Sequence, residues 1–127
     1  MKARLFTLLR LIVALTLAAC LGSAVARETY DRLDSVALSS LPPEAHRTLQ
    51  LIQQDGPFPY KRDGITFGNY EKRLPYQHRG YYSEYTVPTP GSRDRGARRI
   101  IAGSPPETSG EYYYTDDHYR SFRKIRE

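Results

Sequence analysis

Glu84 lies at the centre of an alternating segment, Tyr81-Tyr82-Ser83-Glu84-Tyr85-Thr86-Val87, and four arginines (Arg93, Arg95, Arg98, Arg99) follow within fifteen residues of it. A carboxylate can take a proton, and guanidinium groups stay charged and hold two phosphate oxygens at once. Phosphodiester chemistry needs both together, because charge grows on the phosphate oxygens while a proton leaves nearby. Further along, Asp117-His118-Tyr119 brings a histidine, whose ordinary pKa of about 6.5 lets it donate a proton near neutrality, against about 4.3 for a glutamate.

The elements around these residues follow from periodicity. Tyr81–Val87 is rich in Tyr, Thr and Val and reads as a strand, with Tyr82, Glu84 and Thr86 on one face. Thr89-Pro90-Gly91-Ser92 is a turn, after which Arg98–Ile101 returns as the next strand and lays the arginines beside Glu84. Ahead of them, Pro43 is the natural first residue of a helix. Ala45, Thr48, Leu49 and Ile52 form its buried stripe, and Asp55-Gly56-Pro57 ends it. Further short strands are expected at Ile65–Asn69, Glu111–Thr115 and Phe122–Ile125, with an edge strand within Arg32–Leu38. One helix followed by strands is an α+β arrangement: an N-terminal helix packed on a single antiparallel β-sheet of four to five strands, the other sheet face left open as a cleft.

The first 26 residues carry Lys2 and Arg4, then the apolar run Leu11–Ala19, then small residues. This is the pattern of a secretory signal peptide, too short to remain as a membrane span. Cleavage is expected after Ala26. Leu17-Ala18-Ala19-Cys20 offers an alternative, a lipoprotein anchored through Cys20. Either route makes the product exported, hence secreted, extracellular or periplasmic. The expected organisation is a signal peptide over 1–26, a tether over 27–37 and one domain over 38–127.

The formal charge of +5 includes three cations in that leader, so the remainder holds 16 positive against 14 negative groups, a balance of +2. Anion attraction must therefore be local, and Arg93–Arg99 carries +3 with only Asp94 opposing. Cys20 is the single cysteine, so no intrachain disulfide staples the domain. Eleven Tyr and no Trp point to a sheet with much aromatic packing. No His/Cys spacing suits zinc.

The run LPPEAHRTLQLIQQDGPFPYKRDGITFGN, then YYSEYTVPTPGSRDRGARRII, then YYTDDHY, resembles the guanyl-specific microbial ribonucleases, the barnase-like family, and within it the small actinomycete enzymes. The resemblance covers roughly Leu38–Ile125. It implies the microbial ribonuclease fold and RNA cleavage by transesterification, with no metal and no cofactor. In it Glu84 is the base, Arg95 and Arg99 hold the phosphate, and His118 is the acid. Tyr119 touches the phosphate or the base. Phe67 packs at a guanine, Asn69 and neighbouring amides meet its O6, and Glu71 accepts from its N1–H and exocyclic amine. Gly68 and Tyr70 depart from the polar or basic residues usual there, and Tyr70 is read as a stacking lid over the base. A cysteine pair that links the chain ends in some relatives is absent.

Taken singly, Glu84 would serve as a structural strand carboxylate paired with an arginine, and His118 as a surface histidine; together the acid–base pair favours catalysis. Arg93 and Arg98 are expected to be peripheral. Single-stranded RNA is the expected partner, because a base read at its edge must be splayed out and stacked. The other expected partner is an acidic protein inhibitor of the barstar type, and a monomer is expected. The rival reading is a non-catalytic RNA- or polyanion-binding protein on the same scaffold.

Overall fold

The computed structural model describes residues 33–127. The leader, the cut after Ala26, the Cys20 alternative and tether residues 27–32 lie outside the described residues. The chain runs through β1 (Ser35–Ala37), a 3-10 turn (Leu38–Ser40), α1 (Pro43–Gln53), β2 (Ile65–Thr66), β3 (Ser83–Thr86), β4 (Arg99–Ala102), β5 (Tyr112–Thr115) and β6 (Arg123–Arg126).

The helix starts where the backbone permits. Pro42 is extended and Pro43 takes the first helical position, where its missing N–H costs nothing. It stops where Asp55 and Gly56 adopt positive φ (58° and 88°) and the Gly56 amide bonds back to the Leu51 carbonyl. The buried stripe is Ala45, Thr48, Leu49 and Ile52. It packs on Val36, Tyr85, Val87, Ile100, Ala102, Tyr112, Tyr114 and Ile125. Burial of Leu49 or Ile52 is worth about 1.5–3 kcal/mol each. Thr48 donates its hydroxyl to the Thr86 carbonyl at 3.1 Å, pinning the helix to β3.

The expected sheet of four to five antiparallel strands is corrected here. The sheet has six strands in the order β1-β6-β5-β4-β3-β2, and it is mixed. Ser35–Ala37 falls within the edge strand expected over Arg32–Leu38, and it pairs parallel with β6, Ser35 opposite Lys124. Three residues are too few to show an alternation, and a partner 89 positions away leaves no local trace. The expected strand at Ile65–Asn69 shortens to Ile65–Thr66, with one further bond from the Phe67 amide to the Tyr82 carbonyl before the chain turns at Asn69 (φ 50°).

Register decides what shares the open face. Thr86, Arg99 and Thr115 stand opposite one another across β3, β4 and β5; Glu84, Ile101 and Tyr113 form the next row. A second apolar cluster of Leu74, Tyr82, Ile101, Tyr113 and Phe122 fills this face away from the polar row. Its buried hydroxyls are used: Tyr82 donates to the Pro75 carbonyl at 2.7 Å, and Tyr81 and Tyr113 both donate to Glu111.

Several of these phenols resist ionisation. The Glu111 carboxylate that accepts its proton pushes Tyr81 up to about 12, burial pushes Tyr85 up to about 12, and burial raises Tyr82 further. A folded-state pKa raised above the unfolded value near 10 gives stability that is complete below 10 and lost as pH rises through about 12. The midpoint of thermal unfolding is therefore expected to hold steady to about pH 10 and fall steeply by pH 12. A flat profile by circular dichroism over that interval would contradict it.

Candidate active site

The polar row on the open face is where the sequence-selected residues meet. Glu84, 7% exposed, accepts two charge-assisted hydrogen bonds: Arg95 Nη2 at 3.2 Å and the Tyr119 hydroxyl at 2.9 Å. Arg95 is aimed by its Nε, which donates to Thr86 Oγ1 at 2.9 Å. Thr86 was placed on the Glu84 face by alternation alone, and that shared face is the signal for its orienting role.

Arg99 is 3% exposed, yet a guanidinium needs partners for its donors when buried. The preceding loop supplies them. Nη1 donates to the carbonyls of Gly96 (2.9 Å), Arg98 (2.7 Å) and Arg95 (3.4 Å), and Nε donates to the Tyr119 oxygen at 3.1 Å. That loop closes because Gly96 takes φ 64°, and a Cβ there would strike the Thr89 hydroxyl. Asp94 braces it: the Gly96 amide and then the Ser92 hydroxyl donate to its carboxylate and hold it below the ordinary range. Arg98, one residue earlier, faces the helix and pairs with Glu44 at 3.8 Å, while Arg93 is exposed.

His118 and Tyr119 leave the end of β5 on a loop with two successive positive φ values, 57° and 71°. Thr115 and Asp117 hold it. Tyr119 N donates to Thr115 Oγ1 at 3.2 Å, and the Ser121 hydroxyl and amide donate to Asp117. The Ser121 hydroxyl is the main reason the Asp117 carboxyl drops to about 2. The His118 amide bonds the Ala97 carbonyl at 3.1 Å, tying this loop to the arginine loop, and its exposed ring stands 4.9 Å from that of Tyr119. Burial and the bond to Glu84 raise the Tyr119 phenol, so it remains a donor.

At the other end of β3, a cavity of about 270 Å³ is lined by Phe67, Gly68, Asn69, Tyr70, Glu71, Glu84, Tyr119 and neighbours. Phe67 stacks on Tyr119 (5.4 Å between centroids, 21°), so one aromatic wall joins the cavity to the polar row. The Asn69 side chain is committed within the loop. It is engaged at both ends by Leu74, Nδ2 to the carbonyl at 3.0 Å and Oδ1 from the amide at 3.1 Å, so it shapes the loop. Tyr70 is 82% exposed and its ring lies over Gly68, where any side chain would collide with it. Glu71 is held by Arg73, whose Nη2 and Nε both donate to Oε2 at 2.7 and 3.0 Å. Nothing in the sequence marks Arg73 beyond its place two residues after Glu71.

The ribonuclease family model matches residues 24–126. Guanyl-specific ribonuclease Sa of Kitasatospora aureofaciens is 59% identical over 91 residues, covering 72% of this chain and 92% of that protein. Guanyl-specific ribonuclease St of Saccharopolyspora erythraea is 53% identical over 90 residues, covering 71% and 85%. A crystal structure of ribonuclease Sa2 with guanosine-2'-cyclophosphate superposes with a TM-score of 0.68 at 47% identity, over 74% of this chain and 96% of that one. A structure of ribonuclease Sa2 in complex with mononucleotides gives 0.70 at 47% identity, over 75% and 95%. On this coverage and identity, the chain belongs to the ribonuclease family.

Proposed function

We propose that the protein is a guanyl-preferring endoribonuclease that cleaves single-stranded RNA through a 2',3'-cyclic phosphate. The observation that carries the mechanism is the convergence on Tyr119 of Glu84, Arg99 and the His118 loop, with Arg95 on the same carboxylate. Glu84 accepts the 2'-OH proton as O2' bonds to phosphorus. The P–O5' bond breaks and His118 gives its proton to the departing oxygen. Arg95 and Arg99 neutralise the phosphate oxygens during both changes. Water then opens the cyclic ester with the two proton roles reversed, leaving a 3'-phosphate.

Guanine fits the cavity by its edge. It presents adjacent N–H donors that the Glu71 carboxylate accepts, its plane lies on Phe67, and Tyr70 covers the outer face. Asn69 contributes by holding the loop. An exported location and an acidic protein inhibitor matched to the arginine-lined cleft belong to the same reading.

The test is incubation with GpA, ApA and CpA, with and without EDTA. GpA should yield guanosine 2',3'-cyclic phosphate, far faster than the other two, and chelation should change nothing. Absence of the cyclic product would refute the reading. Arg73 adds a second expectation. It occupies an oxygen that guanine needs, so Arg73→Ala should lower KM for GpA up to about fivefold with kcat kept, within the 0–1 kcal/mol of an exposed ion pair. A raised KM would make Arg73 a substrate contact instead.

A further inference from the structure

The sheet register gives the cleft a direction. Thr86, Arg99 and Thr115 stand at one end of β3, β4 and β5, and the loops that leave there carry the arginines and His118. The connection 67–82 leaves from the opposite end, where Thr66 pairs with Ser83 and the Phe67 amide bonds the Tyr82 carbonyl. On the proposed reading, His118 protonates O5' of the leaving nucleotide. In-line displacement puts that oxygen opposite the attacking ribose. RNA downstream of the cut therefore lies at the His118 end, and RNA on the 5' side of the guanosine lies toward 67–82.

At that end the connection presents a surface the guanosine itself does not need. Tyr76 is 87% exposed, so its ring is almost entirely open to solvent. Its backbone is nonetheless fixed. Leu74, 1% exposed, is sunk in the second apolar cluster, and the Pro75 carbonyl is held by the Tyr82 hydroxyl. On the far side, His78 meets the Tyr81 ring edge-on at 6.0 Å. Lys72 and Arg79 are exposed, and no carboxylate among the described residues pairs with either. Glu71, the only acid between residues 70 and 81, is already paired with Arg73. A pre-positioned exposed aromatic flanked by unpaired cations is what single-stranded nucleic acid binds: bases stack on the ring, and phosphates meet the cations.

We infer that Tyr76, with Lys72 and Arg79, binds the RNA nucleotides on the 5' side of the scissile guanosine. This extends the proposed ribonuclease reading from a dinucleotide site to a track along the 67–82 connection. Tyr76 stacks a base, and the two cations carry the backbone past the guanine cavity. The surface acts on binding of longer strands and leaves the chemistry of the minimal substrate untouched.

The test compares rGpdA with the chimeras dUdUdUrGdA and rGdAdUdUdU, each containing a single cleavable link. The 5'-extended chimera should exceed rGpdA in kcat/KM by about tenfold, the scale of one stacked base. Tyr76→Ala should abolish most of that gain while keeping rGpdA cleavage within about twofold, and should leave the 3'-extended chimera alone. Lys72→Glu with Arg79→Glu should reduce the gain and flatten its salt dependence. A 5' gain unchanged in Y76A, or equal losses on all three substrates, overturns the inference. Binding of uncleavable dUdUdUdG, followed by fluorescence anisotropy with a 3' label, is read independently of catalysis. Weaker binding by Y76A supports the track even if rGpdA were not cut, whereas equal affinity of wild type and Y76A refutes it.

Discussion

Glu84→Gln is expected to lower kcat on GpA by about 10²- to 10⁴-fold, the range of a lost general base. The amide keeps the shape of the carboxylate and one acceptor oxygen, so either the Arg95 or the Tyr119 contact survives. What disappears is the ability to take the 2'-OH proton. Affinity for an uncleavable deoxyguanosine oligonucleotide should therefore change little, and kcat should carry the loss. His118→Gln removes the donor at the other side of the same phosphorus. The double variant should fall little further than the worse single one, because the two act in one step. Near wild-type turnover of E84Q would remove Glu84 from the reaction.

The second large effect concerns Arg99. Arg99→Lys preserves the charge and removes the planar fork that now donates to three loop carbonyls and to Tyr119. An ammonium can satisfy some of them but not all in place. At about 1 kcal/mol per hydrogen bond left unmade, stability should drop by about 2 kcal/mol. For a domain of this size that moves the unfolding midpoint by about 8–16 °C. Activity should fall by about a hundredfold, since Arg95 and the Gly96 loop lose their common anchor. A lysine variant with unaltered midpoint and turnover would mean that charge alone suffices at this position.

These two residues differ in how far the sequence exposes them. Glu84 is legible: the alternation Tyr82, Glu84, Thr86 assigns it to a face, and the amphipathic helix Pro43–Gln53 covers the opposite face. The same alternation separates Arg98, which meets Glu44 on the helix side, from Arg99 on the open side. The burial of Arg99 is not legible. It depends on a loop whose carbonyls converge, and neither charge nor spacing encodes that convergence. Asn69 shows the same limit, because the bonds of its side chain to the Leu74 backbone depend on a loop closure that residue types and spacing do not encode. An edge strand within Arg32–Leu38 is legible, but its parallel pairing with β6 is not, because a partner at the other end of the domain leaves no local pattern. β2 and β3 are shorter than their residue types suggest, Ile65–Thr66 and Ser83–Thr86.

The placement of arginines and histidine at one end of β3–β5 and of the 67–82 connection at the other divides labour along a rigid ladder. On the proposed reading, mutational drift in that connection can exchange one preferred nucleobase or flanking sequence for another without disturbing proton transfer, because no residue of the β3–β5 rungs has to move. A lineage built on this frame can therefore diversify its diet of transcripts while its reaction stays fixed.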